Sequence, residues 1–142
     1  MAGENPITLA EDARDNAFAE MLAGLLGQNI EQKPEKAEIL RRMRGVVSIA
    51  AGDAGVRAFL AFDGRGCTIG SGGPAEPKLS IRADSEKILG LATLKFLGPV
   101  PAPFEQATVQ LLKDVLASRI KIEGMLRHPL MLLRLARLFS VT

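Results

Sequence analysis

The sequence predicts an α+β domain: a single, mostly antiparallel sheet of about five strands with helices packed against it. Three observations predict it. Apolar residues recur with a helical period near both ends of the chain and switch to strict alternation in the middle. The alternating segments are separated by hairpin-length turns, which makes them a meander. One further alternating segment stands alone between helices near the C-terminus.

The first helix is TLAEDARDNAFAEMLAGLLGQ. Thr8 followed by Glu11 matches a capping box, and Phe18, Met21, Leu22, Leu25 and Leu26 follow the i, i+3, i+4, i+7, i+8 template. A shorter helix follows. Pro34 suits a first helical position and Gly45 a C-terminal stop. Arg41, Arg42 and Arg44 crowd its last turn, where cations complement the helix dipole. GVVSIAAGD and GVRAFLAFD are strands joined around Asp53, Ala54 and Gly55, and Val56, Ala58, Leu60 and Phe62 share one face. The tight turn DGRG leads to a short strand at 67–69, the loop GSGGPAEP, and a fourth strand, KLSIRA, with Leu79 and Ile81 on one face. Asp84 is the expected N-cap of a helix SEKILGLATLKFL, which GPVPAP breaks because glycine and proline do not continue a helix. FEQATVQLLKDVLAS is helical again. In the last strand Ile120 and Ile122 alternate with Lys121 and Glu123. The last helix has His128 at its N-cap and Pro129 at its first position.

Composition excludes several function classes. A chain of 142 residues is one ordinary domain, and it buries roughly 68–70% of its unfolded surface without staples. Trp and Tyr are absent, so no aromatic base-stacking surface is expected. The formal charge of +2 is too small for a protein whose task is to neutralise phosphates. No nucleic-acid partner is therefore expected. Cys67 is the only cysteine, which excludes an intramolecular disulfide and a Cys-rich zinc site and fits a reducing compartment. The N-terminus has neither a basic nor an apolar leader region, and no apolar run reaches the roughly 18 residues of a membrane span. The expectation is a soluble, cytoplasmic, single domain over 1–142.

Candidate chemistry is sparse. GRGCTIG has the wrong spacing for a dinucleotide fingerprint and lies in a hairpin, where glycines serve turns. Cys67 as a nucleophile needs an activating base, and the only histidine, His128, is distant in sequence. The pairs Glu11–Asp12 and Asp12–Asp15 fall in an exposed first turn, where they complement the helix dipole. No catalytic residue, metal site or cofactor is expected. Arg41, Arg42 and Arg44, and separately Arg127, Arg134 and Arg137, offer either transient contact with an acidic membrane surface or a solvated face at helix ends. The small net charge favours the second.

The last helix poses the sharpest question. Between Pro129 and Phe139 only Arg134 and Arg137 are polar, and they form one narrow stripe. Packing on the sheet covers one side. The rest needs a neighbouring helix, another protein chain, a membrane surface or a hydrophobic ligand.

The order of GVVSIAAGDAGVRAFLAFDGRGCTIGSG, then PKLSIRADSEKILGLA, then RIKIEGMLRHPLMLLRL resembles the sterol carrier protein type 2 (SCP2) lipid-binding domain family, with the "LKI-x-G" type strand at Arg119 to Gly124 preceding the apolar helix. The resemblance is strongest over 40–139. It implies helices on one side of the sheet with a hydrophobic tunnel between, and a non-enzymatic carrier of a sterol, fatty acyl chain, phospholipid or isoprenoid quinone. Residues 92–118 are about a dozen longer than the resemblance implies, a helical insertion that lids, reshapes or plugs the tunnel. The residues expected to line it are Phe96, Leu97, Phe104, Leu112, Leu116, Ile122, Leu132, Leu135, Ala136 and Phe139. The alternative is an interaction module, without ligand, whose last helix forms a homodimer or docks a partner enzyme. A third reading, an enzyme using Cys67 or the carboxylates, requires an activated thiol or a shifted carboxyl in a cleft.

Overall fold

The computed structural model describes residues 6–72, 76–90, 96–97, 100–102 and 105–140 of the 142-residue chain. A short strand β1 (Ile7–Leu9) and a 3-10 turn (Glu11–Ala13) precede helices α1 (Ala17–Gln32) and α2 (Glu35–Arg41). The strands β2 (Arg44–Ala51), β3 (Val56–Asp63), β4 (Cys67–Ser71) and β5 (Leu79–Ala83) follow. Then come α3 (Ser85–Gly90), the strands β6 (Phe96–Leu97) and β7 (Val100–Pro101), α4 (Gln106–Leu116), β8 (Lys121–Glu123) and α5 (Pro129–Phe139).

One mixed sheet has the order β1-β4-β3-β2-β5-β8. The meander is real for β2, β3 and β4, which pair antiparallel. The fourth expected strand leaves it: β5 crosses over and pairs parallel with β2, and β8 closes that edge antiparallel. Alternation puts Ile69, Leu60, Val47 and Leu79 in one continuous cross-strand row, all fully buried. Ala58, Ile49, Ile81 and Ile122 form the next row. Onto this face pack Leu22 and Leu26 of α1, Leu40 of α2, and Leu135, Leu138 and Phe139 of α5, joining sheet and helices in one core.

Three local expectations are corrected. Thr8 and Glu11 do not form a capping box. Residues 7–9 are instead β1, an edge strand parallel to β4. The ladder is extended on both sides by Cys67 N donating to Pro6 O at 2.9 Å and Ala10 N donating to Ile69 O at 2.8 Å, and Ile7 is buried. That ladder outweighs a local cap. Helix α1 begins later, capped by Asn16, whose Oδ1 accepts from Ala19 N at 3.1 Å. Its Nδ2 donates to Arg57 O and Ser71 Oγ, pinning the helix start to the sheet. Gly45 is not the stop of α2, which ends at Arg41; it belongs to β2. The helix expected to run through residue 97 is described over Ser85–Gly90 as α3, residues 91–95 lie outside the described residues, and Phe96–Leu97 is not helical but pairs antiparallel with Val100–Pro101.

Candidate functional site

The last helix answers its own question largely within the chain. Met131, Leu135, Leu138 and Phe139 recur at helical spacing and are buried, facing α1 and α2. Leu132, Leu133 and Ala136 flank them half-buried, and Pro129 and Leu130 are exposed, Leu130 at 61%. Two buried polar side chains hold the C-terminal end. Asn29 Nδ2 donates to Leu138 O at 2.9 Å and to Phe139 O at 3.0 Å. Lys36 Nζ donates to Arg137 O at 2.7 Å and also to Ser140 O. Together with Ser140 N on Ala136 O, these bonds satisfy the carbonyls that a helix end leaves open. Burial and the Arg137 charge pull Lys36 down to about 8. The sequence does carry a signal for this clamp, because Asn29 sits three residues after Leu26, on the apolar stripe of α1. The N-terminal end is looser: His128 occupies the N-cap but its side chain makes no capping bond.

The start of α5 is set by Gly124, the glycine of the RIKIEG motif. Its φ is +88°, and a Cβ there would come within 2.0 Å of Lys78 O. Only glycine lets the chain leave β8 past β5 at this distance.

Helix α4 is held by a polar latch. Asp114 is buried and accepts from Lys87 Nζ of α3 at 3.2 Å, from Gln110 Nε2 at 3.0 Å and from Arg119 at 3.4 Å. Burial opposes its ionisation, but these donors outweigh that and hold the carboxyl below the ordinary range. Leu111 and Val115 pack partly buried against the core, while Val109, Leu112 and Leu116 form an outward stripe. Among the described residues, the buried Thr108 Oγ1 has no hydrogen-bond partner.

The residues expected to line a tunnel fall into distinct environments. Leu135 and Phe139 are fully buried core residues. Ile122, Leu132 and Ala136 are half-buried, on β8 and α5. Leu112 and Leu116 are 58% and 86% exposed on α4. Phe96 and Leu97 form β6, and Phe104 lies outside the described residues. Cys67 is buried, and desolvation with the nearby Asp63 charge pushes its thiol up to about 12, far from a reactive thiolate. Asp63 itself is held low by accepting from Gly66 N and Arg65 N in the DGRG turn. Among the described residues, no three His, Cys, Asp or Glu side chains converge, and no helix is long and apolar enough to cross a membrane.

A cleft of about 370 Å³ opens beside the start of α5, lined by Arg42, Met43, Arg44, Lys78, Arg127, His128, Pro129, Leu130, Met131 and Arg134. It gathers Arg42 and Arg44 of one arginine group and Arg127 and Arg134 of the other, far apart in sequence. Lys78, which sequence reasoning missed, joins them because β5 lies parallel beside β2.

The fold is thus a mixed sheet with α1, α2 and α5 sharing one core with it, and an apolar last helix entered through a glycine. Solved structures share this fold. The chain superposes on a structure described as the UbiJ-SCP2 ubiquinone synthesis protein with a TM-score of 0.62 at 12% identity, covering 89% of this chain and 98% of that one. A crystal structure of sterol carrier protein 2 gives 0.54 at 13% identity, covering 88% and 92%. A conserved hypothetical protein from Thermus thermophilus gives 0.53 at 11% identity, covering 89% and 84%. No protein-family model matches the chain, and no curated protein matches it. The likeness is one of fold.

Proposed function

We propose that the protein is a non-enzymatic carrier of a hydrophobic small molecule, acting in the cytoplasm, within an SCP2-like domain spanning the chain. The observation that carries this reading is a set of apolar side chains packed on the core yet left half-buried. Leu111 and Val115 of α4, Ile122 of β8 and Leu132 of α5 are all of this kind, on an SCP2-type fold. A ligand that slides between helix and sheet would finish their burial, at about 25 cal/mol per Å² removed from water. Candidate classes are sterols, fatty acyl chains, phospholipids and isoprenoid quinones. Helix α4, inside the longer 92–118 segment, is apolar on both sides, which suits a lid. The inert Cys67 thiol supports a binding role over a catalytic one.

The test is uptake of a fluorescent acyl lipid by delipidated protein. Ala136 is half-buried on α5, so Ala136→Trp should fill the space beside it. Uptake is expected to fall at least about tenfold, while the overpacking costs no more than about 1–3 kcal/mol of stability. Unchanged uptake in the folded variant would remove α5 from the binding surface.

A second reading, an interaction module, is favoured by one observation. Val109, Leu112 and Leu116 form an exposed apolar stripe on α4, whereas α5 is largely covered. In that case Leu112→Asp and Leu116→Asp should convert a dimer to a monomer in a concentration series of mass measurements.

A further inference from the structure

We propose that the cleft at the start of α5 docks the protein onto an anionic bilayer. The inference rests on the surface alone and holds whether or not the chain carries a ligand. Arg42 and Arg44 flank the end of α2, Lys78 precedes β5, and Arg127 and Arg134 bracket the start of α5. All five line one cleft, and among the described residues its lining holds no carboxylate. Among the described residues, none of the five forms an ion pair with an acid. Arg134 donates to Arg42 O at 3.2 Å and Lys78 Nζ to Arg44 O at 2.9 Å. These bonds hold the Arg134 and Lys78 side chains against the backbone at the junction of α2 and β2 without neutralising them. A chain of net charge +2 has thus concentrated five of its 18 basic residues around one cleft.

Two leucines decide what the charge meets. Leu126 is 93% exposed and Leu130 61%, in the loop and first turn that carry Arg127. Large apolar side chains beside a basic cluster suit the boundary between headgroups and acyl chains, where both groups find partners. An acidic protein segment would satisfy the arginines but leave a 93% exposed leucine without cause. The field is also directional. The adjoining cleft of about 500 Å³, which shares Lys78, Arg127 and His128, contains Glu76 and Glu123. The uncompensated charge therefore lies on the Arg42 and Arg134 side, and that side faces the membrane. Solvated arginines fanned out at separate helix ends, the reading the sequence favours, would not converge on one cleft.

The experiment is vesicle flotation of the full chain. Vesicles of phosphatidylcholine alone are compared with vesicles of phosphatidylcholine and phosphatidylglycerol, at low and high salt. Binding is expected only to the anionic vesicles and should be lost in high salt. Each basic residue near such a surface contributes roughly fivefold to partitioning, so Arg42→Gln with Arg134→Gln should weaken it about 25-fold. Arg57→Gln with Arg82→Gln is the matched control: both residues pair with Ala50, toward the other end of β2. It removes the same charge and should leave flotation unchanged. The chain has no tryptophan, so Leu126→Trp gives a clean reporter at a position that carries no packing. Its emission should shift blue on anionic vesicles. Equal binding to neutral vesicles, equal loss in the control pair, a reporter that stays solvent-exposed on floated protein, or no flotation alongside tight binding to an acidic polypeptide would each overturn the proposal.

Discussion

Asn29 and Lys36 are the polar side chains that let an apolar helix end inside the protein. Both donate to carbonyls of residues 137–140, and among the described residues neither pairs with a carboxylate there. Lys36 consequently carries a charge in a place that disfavours it. Its ordinary value is 10.5 and its folded value is about 8. Between those two values the unfolded chain holds a proton that the folded chain has released. Stability therefore rises with pH across that window, and the penalty is at full strength below it. A neutral lysine still donates, so the clamp survives deprotonation. Urea midpoints measured from neutral to alkaline pH should climb in the natural protein, and Lys36→Met should flatten the climb. A midpoint insensitive to pH in the natural protein would show that Lys36 is not buried as described.

At the scale of elements, α4 and the turn into α5 carry the predictions. Asp114 is held below the usual carboxylate range, so its stabilisation is complete above that range and is lost as pH falls through the lowered value. The Asp114→Asn protein should therefore be less stable than the natural one at neutral pH, and the two should converge in acid. Urea midpoints across that range check it. Gly124→Ala should cost at least about 1–2 kcal/mol, because the left-handed backbone alone carries that cost for other residues and the new Cβ would meet Lys78 O. Thermal or urea unfolding gives the value directly. Elements with long, strong periodicity were legible in the sequence. The apolar stripe of α1, the alternation of β2 and β3, and α5 from Pro129 to Phe139 all stand where the pattern puts them. What pattern misses is non-local. Strand β1 is three residues long and is defined by its partner β4. Likewise, no turn residue announces that β5 crosses to lie beside β2. The apolar run through Phe96 and Leu97 fits a helix period as well as a strand, and pairing with Val100 and Pro101 decides it.

At the scale of the whole molecule, two surfaces follow from one fold. The order of strands and helices was enough to suggest an SCP2-like architecture, and the structural comparison bears that out. The candidate site was legible only in kind. Apolar helix faces could be read, but whether Leu135 is core and Leu116 is surface depends on how α5 settles against α1 and α2. The cationic cleft was legible as two arginine groups and became one feature only when α5 packed on α2 and the crossover added Lys78. Docking at that cleft would bring a carrier to the phase where hydrophobic ligands reside. The measurement that bears most directly on the carrier reading is native mass spectrometry of the protein purified from its own cells, followed by organic extraction. A stoichiometric co-purifying sterol, acyl lipid or quinone is the predicted result. A bare protein mass that stays bare after incubation with all of these would contradict it.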